Sequence, residues 1–300
     1  MHPSTLAPRA EPAWLAARAA HEARVDALVG DRRARAARGE AHPVEDFLFT
    51  YYMLRPARLR RWHPGAGVVL AGPAAAGRLA WREHVAAGDG VTLDVAAWLA
   101  RRGDGVRRVR DLLAATAARP AQLACFGLHE WAMVYRLPAD DVRHAGWPLR
   151  LGREGTDAVV DGHRVRCTHH DAFRFFTSPA RPLNAVQPSR ERQVELEQPG
   201  CLHATMDLYK WAYQLLPAVP SELVADAFEL ARDARALDMR ASPYDLRSLG
   251  YEPVCIETPE GRAGYVEGQR ELAGRAAPLR AALLARCQAL LTPTPTPAPP

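Results

Sequence analysis

Residues 201 to 216, CLHATMDLYKWAYQLL, constrain this chain more than any other stretch. On a helical wheel Leu202, Met206, Tyr209, Trp211, Tyr213, Leu215 and Leu216 cover most of the surface, and only Thr205 interrupts them. A helix that is apolar nearly all round must be enclosed by other elements. The chain therefore has to fold around this segment. His203, Asp207, Lys210 and Gln214 stand at i, i+4, i+7 and i+11 and share a stripe about 60° wide. Two readings are open. The stripe is a narrow edge meeting water, or it is a polar seam facing a cavity inside the protein.

Lys210 gives the second reading its interest. It is the only lysine among 39 basic residues. A chain that uses arginine everywhere else keeps lysine where a planar guanidinium does not fit. Asp207, three residues back on the same face, favours a charged ammonium and argues against a Schiff-base nucleophile. Lys210 then reads as an electrostatic clamp, and Asp207 as a base or transition-state stabiliser.

The surrounding sequence supplies helices to enclose the segment. Residues 11 to 39 read as a basic, alanine-rich helix. Pro43, with Glu45 and Asp46, opens another that Pro56 bends or ends. Residues 93 to 118, 121 to 136, 221 to 237 and a long C-terminal run beginning at Thr258-Pro259-Glu260 read as helical. Asp161-Gly162, flanked by Val159-Val160 and His163-Arg164-Val165, predicts a small β-hairpin element near 148–167. EPVCIE, residues 252 to 257, reads as a short strand. Residues 180 to 200 read as a wrapped loop. The expected fold is mainly α: a single helical domain over 11–290, with disordered ends at 1–10 and in the Pro/Thr tail 291–300.

Apolar residues make up 48% of the 300, enough for a substantial core. The formal charge is +5, with its excess concentrated before residue 62. That balance permits an anionic partner without requiring one. Five cysteines with no CxxC pair fit a reducing, cytoplasmic setting rather than a disulfide framework. No secretion signal or membrane-spanning run is expected. Walker A, GxGxxG, GxSxG and HExxH are all absent, which removes nucleotide-fold and serine-hydrolase readings.

Other residues carry chemistry. CFGLHEWAMVYR puts His129, Glu130, Trp131, Tyr135 and Arg136 on one predicted helix, either an ordinary amphipathic face or part of a site. CTHHDAFRFF brings His169, His170 and Asp171 together. His129, His169, His170, His203 and Asp207 form a candidate metal set on facing helices, suited to iron, zinc or manganese. Asp238, Arg240, Ser242, Asp245 and Glu257 punctuate LDMRASPYDLRSLGYEPVCIETPEG, as a turn network or an active-site wall.

Several segments taken as a set, HPVEDFLFTYY, RPARLRRWHPG, CFGLHEWAMVYR, RCTHHDAFRFF, EQPGCLHATMDLYKWAYQL, LDMRASPYDL and IETPEG, resemble a group of mainly actinobacterial proteins labelled 3-methyladenine DNA glycosylase. The resemblance spans roughly residues 40 to 285. Neither a helix-hairpin-helix with its downstream Asp nor the Cys/His spacing of the zinc-bearing class is present, so no catalytic residue transfers by motif. The resemblance implies a hydrolase of DNA repair that flips an alkylated base from the duplex and needs no cofactor. The catalytic candidates, Asp207, Lys210, Glu130 and His203, come from the helix argument and not from the resemblance. Trp131, Tyr135, Trp211 and Tyr213 would stack on the base, and Arg58, Arg60, Arg61 and Lys210 would hold DNA phosphates. The alternatives are a metal-dependent oxygenase or hydrolase acting on a small molecule, and a non-enzymatic nucleic-acid-binding protein.

Overall fold

A computed structural model of the protein describes residues 7–138 and 146–292. The expectations for residues 1 to 6 and for the tail from 293 lie outside the described residues. The elements in chain order are β1 (Ala7–Arg9), α1 (Glu11–Ala37), α2 (Phe47–Thr50), α3 (Pro56–Arg60), β2 (Val68–Ala71), β3 (His84–Ala87), β4 (Gly90–Leu93), α4 (Val95–Ala117), α5 (Leu128–Ala132), α6 (Gly152–Asp161), α7 (His170–Phe173), α8 (Gln193–Leu196), α9 (Leu202–Gln214), α10 (Ser221–Arg240) and α11 (Pro259–Leu291). The fold is mainly α with a small β element.

The segment that opened the sequence analysis becomes α9, and eleven of its residues, Leu202 to Tyr209 and Trp211 to Tyr213, are buried. It packs most extensively on α10, while α11 packs against α4, α9 and α10. One apolar core runs through these helices, drawing side chains from Val25 to Leu290. Burial of Tyr209, Phe228, Met206 and Leu208 at its centre contributes roughly 1.5–3 kcal/mol for each large side chain. Helices α4 and α11 begin on side-chain caps: Asp94 accepts from the Ala97 amide at 2.9 Å, and Thr258 from the Gly261 amide at 3.0 Å.

The β element is a four-stranded sheet in the order β1-β2-β4-β3, beside a separate small core of Trp14, Trp62, Leu70, Ala75 and Val91. Residues 7–9, expected to be loose, pair in parallel with β2. The predicted hairpin near 148–167 is not formed. Val159, Val160 and Thr156 lie on one buried helical face of α6, and Gly162 ends that helix instead of turning a hairpin. The hairpin in the structure joins β3 and β4 through Gly88-Asp89, with Ala87 opposite Gly90. Residues 252 to 257 run without strand pairing.

Two predicted helices are shorter than expected. The run from Pro43 breaks at Met53, whose φ of 54° is left-handed. The run from 121 starts its helix only at Leu128, because Phe126 and Gly127 have φ of 48° and 70°. These breaks matter for function: they bring Tyr52 to α9 and aim His129 and Glu130 at α10.

Candidate functional site

The polar stripe of α9 faces inward over most of its length. Asp207 is 1% exposed and His203 5%. Tyr52 Oη donates to Asp207 Oδ1 at 2.6 Å, and Lys210 Nζ donates to Asp207 Oδ2 at 3.0 Å. The same ammonium donates to Asp171 Oδ2 at 3.2 Å and lies 4.3 Å from the Trp211 ring centre. A compact head with several donors, wedged between two carboxylates and an indole, is what lysine supplies and arginine does not.

Across from Asp207 stand two side chains from the loop before α9. His169 opens α7, and the stretch leading to it is fixed by Asn184, which exchanges hydrogen bonds with the Cys167 backbone at 2.7 and 2.9 Å. His169 Nε2 lies 3.4 Å from Asp207 Oδ2 and 3.6 Å from Glu197 Oε2. Glu197 Oε2 also accepts from Gln193 Nε2 at 2.9 Å. All three groups are buried, and neither ring nitrogen of His169 has a hydrogen-bond partner.

A second cluster adjoins the first. His129 Nε2 meets Asp238 Oδ1 at 2.8 Å. Arg235, fully enclosed on α10, donates to Asp238 Oδ2 at 2.8 Å and to Glu130 Oε1 at 2.7 Å. The His203 ring lies between the clusters, 4.6 Å from the His129 ring and 5.2 Å from that of His169. His129, His203 and Asp238 each bring one ligand-type atom to within 4.8 Å of the others, as do His169, Glu197 and Asp207.

The electrostatics of this interior are uneven. Among the described residues, Glu130, Asp171, Glu197, Asp207 and Asp238 face three fixed cations in direct contact, Lys210, Arg235 and, at 3.5 Å from Asp171, the half-exposed Arg174. Burial alone would push the Asp207 carboxyl up, but Lys210 and His169 overcome it and hold the group below the usual carboxylate range. His129 does the same for Asp238. The Glu197 carboxyl is pushed up by burial, against the pull of His169. Burial works against charge on His129 and His169, yet Asp238 and Asp207 raise both imidazoles above their ordinary value. His203 goes the other way: burial and the neighbouring His129 keep it neutral. The excess of negative charge is met by protons on His129 and His169, or by a bound cation.

The donor chemistry fits a divalent metal. Imidazole plus carboxylates suits zinc, iron or manganese. Ligands held about 2.1 Å from a tetrahedral ion stand about 3.4 Å from one another, close to the 3.4 and 3.6 Å separations at His169. Those separations are long for direct hydrogen bonds. Tyr52 on Asp207 Oδ1 and Arg235 on Asp238 Oδ2 hold the carboxylate oxygens that do not face the imidazoles and would orient the others toward an ion, with Lys210 sharing Asp207 Oδ2. Next to the clusters is a chamber of about 40 Å³ lined by Glu130, Asp171, His203 and Arg235 together with Phe47, Tyr51, Met133 and Phe175.

The structure thus brings together Asp207, Lys210, Glu130, His203, His129 and His169 from the residues singled out in the sequence. His170 points elsewhere, with Nδ1 3.5 Å from the Pro188 carbonyl. Trp131 and Tyr135 lie in the core, their polar ends bonded to the Ala241 carbonyl at 2.8 Å and Asp161 at 2.5 Å. Trp211 is buried beneath Lys210. Arg60 binds Asp26 at 3.0 Å, whereas Arg58 and Arg61 line a separate groove. Gln214 also lines that groove, away from the clusters. Tyr52, Glu197 and Arg235 were not identified from the sequence, and Asp238 was read only as a turn or wall residue. Arg235 and Asp238, an i, i+3 ion pair on the buried face of α10, offered the one local signal.

No protein-family model matches this chain, and neither a curated protein nor a solved structure shows significant similarity to it.

Proposed function

We propose that the protein is a metal-dependent enzyme acting on a small molecule, with a divalent iron, zinc or manganese ion held by His169, Glu197 and Asp207. The observation that carries this reading is the buried His169 ring, whose two nitrogens lack hydrogen bonds while two carboxylate oxygens converge on Nε2. His129, His203 and Asp238 are the adjoining set, able to take a second ion or to support the first. A metal there supplies Lewis-acid or redox chemistry to a bound substrate. The protein's own residues set the stage. His203, kept neutral by burial and by His129, lines the chamber and offers a hydrogen bond to what enters it. Lys210 and Arg235 keep Asp207 and Asp238 ionised and aimed, and the aromatic wall excludes bulk water.

The glycosylase reading draws less support from the geometry. Asp207 is closed in by Tyr52, Lys210 and His169.

Elemental analysis of the native protein tests the proposal. It is expected to contain iron, zinc or manganese near one or two equivalents per chain, removed by chelation and strongly reduced in His169→Ala. Metal-free protein that is unchanged by added Mn²⁺, Fe²⁺ or Zn²⁺ would refute it.

A different observation favours a second reading, nucleic-acid binding. A groove of about 590 Å³ is lined by Arg58, Arg61, Arg82, Arg101 and Arg102, with Glu83 its one acidic wall residue. Arg61 lies 5.1 Å from the Trp81 ring centre and Arg58 5.0 Å from that of Tyr213. Guanidinium groups laid on aromatic faces suit a phosphodiester strand with bases to stack.

A further inference from the structure

The inner chamber is walled on one side by three rings. Phe47, Tyr51 and Phe175 line the chamber and also line an outer cleft of about 520 Å³. Phe47 and Tyr51 are stacked with centres 4.9 Å apart, and Phe175 meets Tyr51 edge-on at 6.2 Å. A single aromatic partition therefore separates a cleft large enough for a ligand from a chamber that reaches His203.

The outer cleft has a defined chemistry. Its walls add Met53 and Trp147 to the three rings. Met53 is 84% exposed and has a φ of 54°. A large apolar side chain in a left-handed backbone gains nothing from burial here, and contact with an apolar occupant would reward it. The cleft's polar groups are mostly committed. Asp46 is paired with Arg35 at 3.2 Å and accepts from the His42 amide at 2.9 Å. His42 Nδ1 accepts from the Val44 and Glu45 amides at 3.2 and 3.1 Å.

Arg174 is the exception. Its guanidinium lies 4.5 Å from the Phe175 ring centre, on the partition itself, and its side chain is 48% exposed. Its polar contacts are loose: 3.5 Å to Asp171 and 3.5 Å to Tyr51 Oη. A better acceptor would displace them. The chamber behind the partition holds the carboxylates of Glu130 and Asp171, which repel an anionic end.

We propose that the cleft lined by Phe47, Tyr51, Met53 and Phe175 is the substrate entrance, and that its occupant is a small molecule with a flat apolar body and one carboxylate. The carboxylate stays outside on Arg174. The body lies against the rings, and its far end points through the partition toward His203. The entrance rests on the metal-site reading for the chemistry at its inner end, but the binding step does not need the metal.

Calorimetric titration with 2-naphthoate, and with 2-naphthylmethylammonium as the oppositely charged control, tests this. Both probes are titrated into the protein as purified and into the chelated protein. The expected result is binding of naphthoate to both forms, at least tenfold weaker binding of the ammonium, and about a tenfold loss of naphthoate affinity in Arg174→Gln. Met53→Glu, at a solvent-facing position, is expected to weaken naphthoate severalfold without changing thermal unfolding. Absence of naphthoate binding, equal binding of the two probes, or affinity indifferent to Arg174→Gln and Met53→Glu would overturn the entrance. Naphthoate binding to a protein that takes up no metal would keep the entrance and sink the metal site. Metal uptake without naphthoate binding would do the reverse.

Discussion

Replacing Lys210 with methionine removes the ammonium and keeps the apolar stem. Asp207, 1% exposed at its side chain, then loses its 3.0 Å partner and keeps the Tyr52 hydroxyl and the long approach of His169. Stripping one partner from a buried ion pair costs about 3–5 kcal/mol. The lower end applies, because Lys210 is 18% and Asp171 26% exposed, so Asp171 can turn to water and to Arg174. A loss of about 3 kcal/mol in a chain of 300 residues, with about 2.1 cal/mol/K of unfolding entropy per residue, lowers Tm by about 5 °C. Thermal unfolding at neutral pH in chelator is the assay. Saturating Mn²⁺ is expected to shrink the deficit, since a divalent ion supplies part of the missing charge. Lys210→Arg keeps the charge but must fit a plane beside Trp211, and is expected to fall between the two. A Lys210→Met protein unfolding within about 1 °C of the parent would refute the claim that this ammonium neutralises the buried carboxylates. The pH sign is fixed as well. Burial disfavours the Lys210 charge, but Asp207 and Asp171 hold its pKa above the ordinary lysine value. Its contribution is present below that value and is lost as pH rises through the folded-state pKa.

Two further outcomes are expected. Burial, and then Arg78, lowers the His63 imidazole to about 3. Its contribution is present above the ordinary histidine value of about 6.5 and lost as pH falls toward the folded value, so His63→Asn should flatten acid unfolding across that window in urea titrations at stepped pH. For the arginine groove, Arg58→Ala with Arg61→Ala should weaken a single-stranded oligonucleotide across sequences and lower the salt slope by about one per lost phosphate contact; fluorescence anisotropy against salt reads this, and an unchanged slope would exclude the groove as the contact surface.

The enclosed helix was legible because its apolar coverage leaves few other ways to fold, but that coverage left open whether His203, Asp207 and Lys210 met water or the interior, and the structure turns them inward. Gln214 broke the pattern: it lies on the last turn of α9, where the helix emerges at the arginine groove. Glu197 carried no signal, because it sits in a proline-bounded loop and reaches His169 through a contact distant in sequence. Asp161-Gly162 misled because a two-residue turn and a helix end draw on the same residue types. Gly88-Asp89 is the better hairpin signal in retrospect, with short strands on both sides. Arg235 and Asp238 show the limit of periodicity: charged residues on a helix read as solvated until a neighbouring helix is known to cover them.

His203 and Asp207 sit one turn apart on α9, yet they serve different clusters, the first beside His129 and Asp238 and the second beside His169 and Glu197. Inserting or deleting one amino acid ahead of them would rotate both by about 100° at a stroke. The two halves of the interior therefore share a single rotational register. Selection can adjust either half by substitution, but a change of length would cost the lineage both together.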